Sequence, residues 1–412
     1  MNKSPRLVAL ETLYSIFYDG SYSNIALDKA LSDIKENKAF ISALVYGVTE
    51  RKITLDYFID KYAQGRIKPK VRIVLWLGAY QLLFMDKVPS SASINESVKL
   101  VKEIKQDYYS KLVNAVLHKI DNDRQIPDDL SVKYSVPENL INMWKKQYGE
   151  DVLNEFLPCI NDKPPLFAIP NKKFVNSDEL LYELECDGIL GEAYDEFVLI
   201  ENANDLTDSK AFKNGLFYIE DLSSFNCANA LDALSDDLVL DMCSAPGGKA
   251  FTISQSMNNS GKIYCYDLHE HRLNLIKSSA KRLSIDNIYT DVNDATVYNE
   301  NIPKADKILC DVPCSGFGII RRKPEIRYKD LDSVKDLPQI QYKILETSSR
   351  YLKDGGRIIY STCTLNKKEN ENVVNKFLKD HSGYKLLKDK TMFPSTVGGD
   401  GFYYAIMVKN EN

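Results

Sequence analysis

The feature that most constrains the fold is an alternation of apolar, strand-length runs with helix-length segments after residue 237. The candidate strands are residues 238–242, 262–266, 287–290, 307–310, 357–360 and 402–408. The candidate helices are residues 249–257, 270–283, 337–352 and 367–380. Near-continuous apolar strands alternating with helices predict a parallel, doubly wound α/β sheet. A ligand of such a sheet lies outside the carboxyl ends of the strands.

Two other regions precede this sheet, so three domains are predicted. Residues 1–125 carry only helical periodicity, beginning where Ser4 can cap a helix that has Pro5 at its first position. Residues 126–230 start in a polar linker and mix short strand-like and helix-like runs, which predicts a small α+β module. Residues 231–412 form the α/β domain.

Charge and composition exclude several classes of protein. The net charge is −5, which argues against a uniformly basic nucleic-acid binder. The most apolar stretch, residues 71–85, is interrupted by Arg72 and Gln81 and is too short to cross a bilayer. The N-terminal residues lack the pattern of a signal peptide. We therefore expect a cytoplasmic protein with no membrane contact, and we expect it to be a monomer.

A loop rich in small residues follows the first predicted strand and opens a helix. Its residues are Asp241, Met242, Cys243, Ser244, Ala245, Pro246, Gly247, Gly248 and Lys249. Small side chains let a ligand approach the backbone closely, and free amides at a helix start favour a carboxylate or phosphate. Residues 243–249 are therefore predicted to bind a cofactor.

Two acidic residues end the next two predicted strands. Asp267 can accept hydrogen bonds from two ribose hydroxyls, and Asp294 could meet an adenine amino group. A single aspartate at such a position is more often a cap or turn residue. The ordered set of Asp241, Asp267 and Asp294 beside paired glycines instead indicates a nucleoside-bearing cofactor.

Elimination identifies the cofactor. A Walker phosphate loop needs a glycine where Cys243 stands and a serine or threonine where Ala250 stands, and the Gly-x-Gly-x-x-Gly pattern of NAD sites is absent. S-adenosylmethionine fits best, because it carries a nucleoside and an amino-acid tail but no phosphate.

Two cysteines are predicted at the same sheet edge. Asp311-Val312-Pro313-Cys314-Ser315-Gly316 follows the fourth predicted strand, and Ser361-Thr362-Cys363-Thr364 follows the fifth. No metal site is expected, because no Cys-x-x-Cys occurs and the four histidines lack ligand spacing.

A thiol at a methyl-transfer site suits a carbon acceptor. C5 of a pyrimidine has no lone pair, but a thiolate that adds to C6 pushes electron density to C5, which can then attack the methyl group. Asp311 could bond the N3 or amino edge of a cytosine, and a second thiol could assist release. The residues alone do not decide which thiol attacks, since DNA cytosine methyltransferases use the cysteine of a Pro-Cys motif.

These three motifs resemble the signatures of the RNA cytosine-C5 methyltransferases of the Nop2/Sun family. The helical region resembles the NusB antitermination domain in the segments 44–47, 81–84 and 112–117. This pairing is characteristic of bacterial enzymes that methylate C5 of a cytosine in 16S rRNA. The resemblance implies an all-α NusB-like domain at residues 1–125, followed by a Rossmann-like class I methyltransferase domain at residues 231–412. It also implies that the NusB-like domain and the small α+β module between the two contact RNA.

The resemblance also implies roles for individual residues. Cys363 becomes the nucleophile and Cys314 assists product release, while Asp311 serves both the base and the cofactor. The sequence departs from the family pattern at Ser244, at Asn171 with its preceding residues, and at Glu220, where glutamine is usual.

Two runs of cations are candidates for RNA contact. They comprise Arg66, Lys68, Lys70 and Arg72 in the helical region, and Arg321, Arg322, Lys323 and Arg327 after Cys314. Such runs can grip phosphates, although a solvated helix face explains the first run equally well. If the target base lies in an RNA helix, it must be extruded from that helix to reach Cys363.

Two other hypotheses remain open from the sequence. One is a NusB-like RNA-binding or antitermination factor whose methyltransferase half is an inactive scaffold. The other is a methyltransferase of the same chemistry that acts on tRNA.

Overall fold

The computed structural model describes residues 3–202, 206–394 and 398–411. The chain divides into two compact units. The first unit combines Met1–Asp162 with Ile320–Asp330, and the second combines Lys163–Ile319 with Leu331–Asn412. These units group the residues differently from the predicted boundaries at 125 and 230, because residues 126–162 pack with the N-terminal helices.

The first unit is helical. Its helices are α1 (Pro5–Tyr18), α2 (Ser23–Leu31), α3 (Lys38–Tyr62), α4 (Pro69–Phe84), α5 (Ser90–Glu103), α6 (Ser110–Asn122), α7 (Leu130–Tyr134), α8 (Glu138–Tyr148) and α9 (Glu150–Phe156). The Ser4 hydroxyl accepts a hydrogen bond from Leu7 N and caps α1, as predicted. Helix α4 supplies much of the core, with Trp76 almost completely buried. None of the helices in the described ranges is long and apolar enough to span a bilayer.

The segment Ile320–Asp330 belongs to the first unit, although it follows the Cys314 motif in the chain. The Tyr328 hydroxyl donates a 2.7 Å hydrogen bond to the Thr49 carbonyl of α3. Phe17 and Tyr328 pack edge to face, with ring centroids 5.8 Å apart. Aromatic packing and a satisfied buried hydroxyl together hold this segment against α1 and α3.

The second unit begins with a small antiparallel sheet in the order β2-β3-β1-β4. Its strands are β1 (Leu166–Pro170), β2 (Gly191–Ala193), β3 (Val198–Ile200) and β4 (Phe217–Ile219). The accompanying helices are α10 (Ser177–Cys186), α11 (Lys210–Lys213) and α12 (Leu222–Asn229). Asn176 and Glu179 form a capping box that fixes the start of α10.

A seven-stranded sheet in the order β10-β11-β9-β8-β5-β6-β7 forms the rest of the second unit. Its strands are β5 (Leu238–Asp241), β6 (Lys262–Asp267), β7 (Ile288–Val292), β8 (Ala305–Asp311), β9 (Leu352–Thr362), β10 (Tyr384–Met392) and β11 (Phe402–Lys409). The helices between them are α13 (Gly248–Ser256), α14 (Glu270–Arg282), α15 (Leu337–Ser349) and α16 (Glu371–Asp380). The predicted Rossmann-like α/β class is therefore confirmed.

The prediction of an entirely parallel sheet is wrong at one edge. Strands β5 to β9 pair in parallel, but β11 pairs antiparallel with both β9 and β10. Residues 393–401 join β10 to β11, and this connection is too short for the crossover that parallel neighbours need. Strand β10 was missed because it is a mostly exposed edge strand rich in lysine.

The strand order changes direction at β5, which lies between β6 and β8. Asp241 at the end of β5 is in register with Cys265 on β6 and with Leu309 on β8. The loops after β5 and β8 therefore diverge at this point and leave a crevice outside the carboxyl ends of the strands.

Candidate active site

Asp241 forms the floor of the crevice. Its side chain is 1% exposed, and Ser244 Oγ donates a 2.8 Å hydrogen bond to its Oδ2 atom. The other carboxylate oxygen, Oδ1, is buried and has no hydrogen-bond partner among the described residues. Burial raises the pKa of Asp241 to about 7. A cationic group or a hydrogen-bond donor of a ligand would satisfy this oxygen.

The paired glycines keep the loop close to its neighbours. Gly247 has a φ of +108° and caps α13, a conformation that favours glycine. A Cβ atom on Gly247 would lie 2.9 Å from Phe251 Cζ, and one on Gly248 would lie 3.0 Å from Glu220 Oε1. Side chains at these two positions would therefore crowd the wall of the crevice.

Lys249 joins the cofactor loop to the end of β8. Its ammonium donates a 2.7 Å hydrogen bond to Asp311 Oδ2 and a 3.1 Å bond to Ser224 Oγ. Burial lowers the pKa of Lys249, but the charges of Asp311 and Glu220 raise it by more. Ser361 Oγ donates a 2.8 Å bond to Asp311 Oδ1, so both carboxylate oxygens of Asp311 are oriented.

These groups line a cleft of about 370 Å³ within the second unit. The lining residues are Phe212, Tyr218, Ile219, Glu220, Asp221, Ser224, Asp241, Cys243, Ser244, Ala245, Pro246, Gly247, Gly248, Lys249, Phe251, Ser279, Arg282 and Asp311. The structure thus brings the whole predicted cofactor loop together with Asp311.

Asp267 and Asp294 lie at the ends of the adjacent strands β6 and β7, outside the lining of this cleft. Arg272 Nη1 is 3.0 Å from Asp267 Oδ2, and Arg272 Nη2 donates a 2.8 Å bond to the Ala245 carbonyl. Arg272 therefore ties Asp267 to the cofactor loop. Asp294 is exposed and accepts hydrogen bonds from the amide and hydroxyl of Thr296, as in a turn.

The two predicted thiols lie side by side. Cys314 Sγ and Cys363 Sγ are 3.2 Å apart, and both residues are partly exposed. Asp311 and Ser361 pair in register on β8 and β9, which places the two cysteine loops at the same sheet edge. A hydrogen bond to Cys363, burial, and the charges of Glu369 and Asp311 raise the pKa of Cys314. The two sulfurs are close enough for one thiol to donate a hydrogen bond to the other.

Comparison with known proteins places this geometry in a family. Residues 228–408 match the family model described as 16S rRNA methyltransferase RsmB/F, and residues 3–122 match the NusB family. A Bacillus subtilis protein, probable ribosomal RNA small subunit methyltransferase B, is 33% identical over 98% of this chain and 99% of its own length. The chain belongs to the ribosomal RNA small subunit methyltransferase B family.

A second curated relative and two solved structures are also similar to this chain. The corresponding probable methyltransferase of Synechocystis is 30% identical over 93% of this chain and 90% of its own. The crystal structure of PH0851 superposes with a TM-score of 0.82 at 27% identity, covering 99% of this chain and all of that one. The crystal structure of NSun6 from Pyrococcus horikoshii with SFG shares the fold, with a TM-score of 0.61 at 21% identity over 67% of this chain and 99% of that one.

The family uses S-adenosylmethionine, as predicted, and the residues of the cleft fit that cofactor. The unpaired Asp241 Oδ1 atom suits the ammonium group of its methionine part, and the glycines leave backbone room beside it. Asp267 lies outside the lining of the cleft, at the end of the adjacent strand β6, where its carboxylate, held by Arg272, would accept hydrogen bonds from ribose hydroxyls. The loop of residues 243–249 would hold the methionine part between these two carboxylates.

The RNA-contact predictions need three corrections. Arg327 is completely buried, and its Nη1 atom donates to the carbonyls of Glu50 and Ser135 and to Asn161 Oδ1, all within the first unit. Arg321 is only 7% exposed. Arg72 forms ion pairs with two aspartates of α3. These guanidinium groups are enclosed or paired within the protein and are poorly placed to bind phosphates.

For the other cations of the two runs, RNA contact stays a prediction. Arg66, Lys68 and Lys70 are exposed, while Arg322 and Lys323 are partly exposed. Lys68 donates a 3.0 Å hydrogen bond to the exposed Gln106 side chain, which RNA could displace. These side chains remain the candidates for phosphate contact.

Sequence reasoning missed two residues that organise the site, Arg272 and Glu369. Arg272 lies five residues after Asp267, a spacing that could have predicted its ion pair near the start of α14. Glu369 contacts Ser315 and Gln341, which are distant in the sequence, so no local pattern could have identified it.

Proposed function

We propose that this protein transfers a methyl group from S-adenosylmethionine to C5 of a cytosine in 16S rRNA. The observation that carries the proposal is the 3.2 Å separation of Cys314 Sγ and Cys363 Sγ beside Asp311. A nitrogen or oxygen acceptor attacks a methyl donor with its own lone pair and needs no thiol. A pyrimidine C5 needs a nucleophile at C6, and this site offers one.

In the proposed first step, the Cys363 thiolate forms a bond to C6 of the cytosine. The electron pair of the C5–C6 double bond shifts toward C5 and N3, so C5 becomes nucleophilic. Asp311, whose oxygens are oriented by Lys249 and Ser361, accepts a hydrogen bond from the amino edge of the base and fixes its position. S-adenosylmethionine supplies the methyl group, carried on a positively charged sulfur.

In the proposed second step, C5 bonds to the methyl group as the bond between that methyl group and the donor sulfur breaks, which leaves a neutral thioether. C5 then loses its proton to a base. The electron pair of that C–H bond re-forms the C5–C6 double bond, the C6–S bond breaks, and Cys363 leaves as a thiolate. The Cys314 thiol stabilises the departing thiolate by donating a hydrogen bond across the 3.2 Å gap. The raised pKa of Cys314 supports this division of roles, because the donor thiol must keep its proton.

Bisulfite sequencing of cellular RNA tests the substrate. We expect a strain lacking this protein to lose protection of a cytosine in 16S rRNA, and the wild-type gene but not a Cys363→Ala gene to restore it. An unchanged 16S pattern with a lost tRNA signal would assign the enzyme to tRNA. If neither RNA changes and calorimetry detects no binding of S-adenosylmethionine, the protein is an RNA-binding factor with an inactive scaffold.

A further inference from the structure

A buried carboxylate connects the two cysteine loops. Glu369 is fully buried, six positions after Cys363. Its Oε2 atom accepts hydrogen bonds from Ser315 N and Gln341 Nε2, both at 2.9 Å. Its Oε1 atom accepts from Ser315 Oγ at 2.6 Å and from Asn366 Nδ2 at 2.8 Å. A charge buried this deeply is stable only when such donors surround it.

The direction of each hydrogen bond follows from the chemistry of the groups. Ser315 Oγ donates to Glu369 Oε1, so the single hydroxyl hydrogen of Ser315 points to Glu369. The 2.7 Å contact between Ser315 Oγ and Thr364 Oγ1 must then be donated by Thr364. Thr364 in turn accepts from Phe317 N at 3.2 Å. The donors therefore form one ordered network that needs an acceptor at both oxygens of residue 369.

This network reaches the chain on both sides of Cys314 and directly after Cys363. Ser315 follows Cys314, and Gln341 Nε2 also donates a 3.0 Å bond to the Pro313 carbonyl that precedes it. Thr364 follows Cys363. We propose that Glu369 is a positioning residue that fixes the separation of the two thiols. This separation sets the rate at which the thiol is released in the proposed reaction, and this second part therefore rests on the proposed function.

The negative charge of Glu369 also affects Cys314. Together with the hydrogen bond to Cys363 and burial, it raises the pKa of Cys314.

The test compares Glu369→Gln with a matched control, Glu371→Gln. Glutamine has nearly the same shape, but its amide group would point hydrogens at donors of the network on one side. Glu371 lies two positions away at the start of α16, next to Thr391, outside this network.

The first readout needs neither RNA nor cofactor. Diamide oxidises the Cys314 and Cys363 thiols to a disulfide, and its own azo group takes up the two electrons and two protons.

We expect the wild-type protein and the control to form the Cys314–Cys363 disulfide rapidly, and Glu369→Gln to form it about 10-fold more slowly or worse, since small misplacements of reacting atoms are costly. Peptide mass spectrometry identifies the bond. In the second readout, Glu369→Gln should lower kcat for methyl transfer and leave KM for S-adenosylmethionine unchanged, with covalent protein–RNA adduct accumulating. A disulfide rate equal to that of wild type would overturn the proposal.

The two proposals can fail separately. If disulfide formation depends on Glu369 but the wild-type protein never methylates cytosine, the positioning role stands and the proposed function falls. If Glu369→Gln does not fold, judged by circular dichroism, Ser315→Ala and Thr364→Val replace it. Both should slow disulfide formation, because each removes one hydroxyl of the network, and unchanged rates in both would equally overturn the proposal.

Discussion

Lys249 Nζ lies 2.7 Å from Asp311 Oδ2, and this ion pair links the cofactor loop to the strand end that precedes Cys314. The pair is mostly shielded from solvent, with 13% of the Lys249 side chain and 27% of the Asp311 side chain exposed. Shielding strengthens the attraction and makes the loss of either partner costly. The contact therefore couples the position of the cofactor to the position of the base.

Lys249→Met should lower kcat/KM for methyl transfer about 100-fold, or about 3 kcal/mol in transition-state stabilisation. Asp311→Asn should cause a similar loss, and the double variant should lose little more than either single variant. A double-mutant cycle on kcat/KM measures this coupling, which we expect to exceed about 1 kcal/mol. Strictly additive losses would show that the two residues act independently.

Glu220 makes the stability of the second unit sensitive to pH. Burial raises its pKa to about 7, although the Lys249 charge opposes this. An unfolded glutamic acid loses its proton near its ordinary value of 4.5, so between these pH values the folded state holds more protons. Stability must therefore fall as the pH rises from about 4.5 to about 7.

Glu220→Gln should stabilise the protein at pH 8 by roughly 1 to 3 kcal/mol and change little at pH 4.5. Some pH dependence should remain, because burial also raises the pKa of Asp241 to about 7. Urea unfolding at both pH values, followed by a probe in the second unit, provides the measurement. A variant that is less stable than wild type at pH 8 would mean that the ionised Glu220 stabilises the fold.

Substitutions of Arg327 and Lys323 should distinguish a cation that stabilises the fold from a cation that binds RNA. Arg327→Met leaves the carbonyls of Glu50 and Ser135 buried without their donor, which should cost about 2 to 4 kcal/mol of stability in the first unit. Lys323→Met should leave the unfolding temperature nearly unchanged but weaken RNA binding. The salt dependence of RNA affinity should become shallower for Lys323→Met alone. A folded Arg327→Met protein with the larger binding defect would contradict this assignment.

Much of the second unit was predictable because its signals are local. Strands β5, β6 and β8 are short apolar runs, and the loops that follow them contain the small or acidic residues that make a site. Strand β10 was not predictable, since its alternation is obscured by exposed lysines and by a register shift between Leu386 and Lys388. Its pairing with β11 depends on contacts that no periodicity reveals.

For the candidate site, the sequence predicted which loops meet at one edge of the sheet but not how their side chains are arranged. The sequence placed Cys314 and Cys363 at one edge, but their 3.2 Å separation depends on Glu369 and on the register of β8 with β9. A run of cations looks the same in the sequence whether its members meet phosphates or buried carbonyls. Arg327 meets carbonyls because its neighbours pack against α3, a tertiary fact that charge spacing does not contain.

Cys314→Ala should trap the enzyme on its substrate. Without the donor thiol, methylated product should leave Cys363 slowly, and a protein–RNA adduct that resists denaturation should appear on gels. Cys314→Ser is the matched control, because a hydroxyl restores a donor at the same position and should shorten the lifetime of the adduct. Free protein alone in the Cys314→Ala lane would contradict the release role.

The most direct test of the account is to identify the atom that bonds to the base. RNA containing 5-fluorocytosine should stop the reaction at the covalent stage, because fluorine replaces the C5 hydrogen that must leave as a proton. Digestion and mass spectrometry should then find the nucleotide attached to the peptide that contains Cys363, with no adduct in Cys363→Ala, which should still bind S-adenosylmethionine. Attachment through Cys314, or an adduct that survives in Cys363→Ala, would contradict the account.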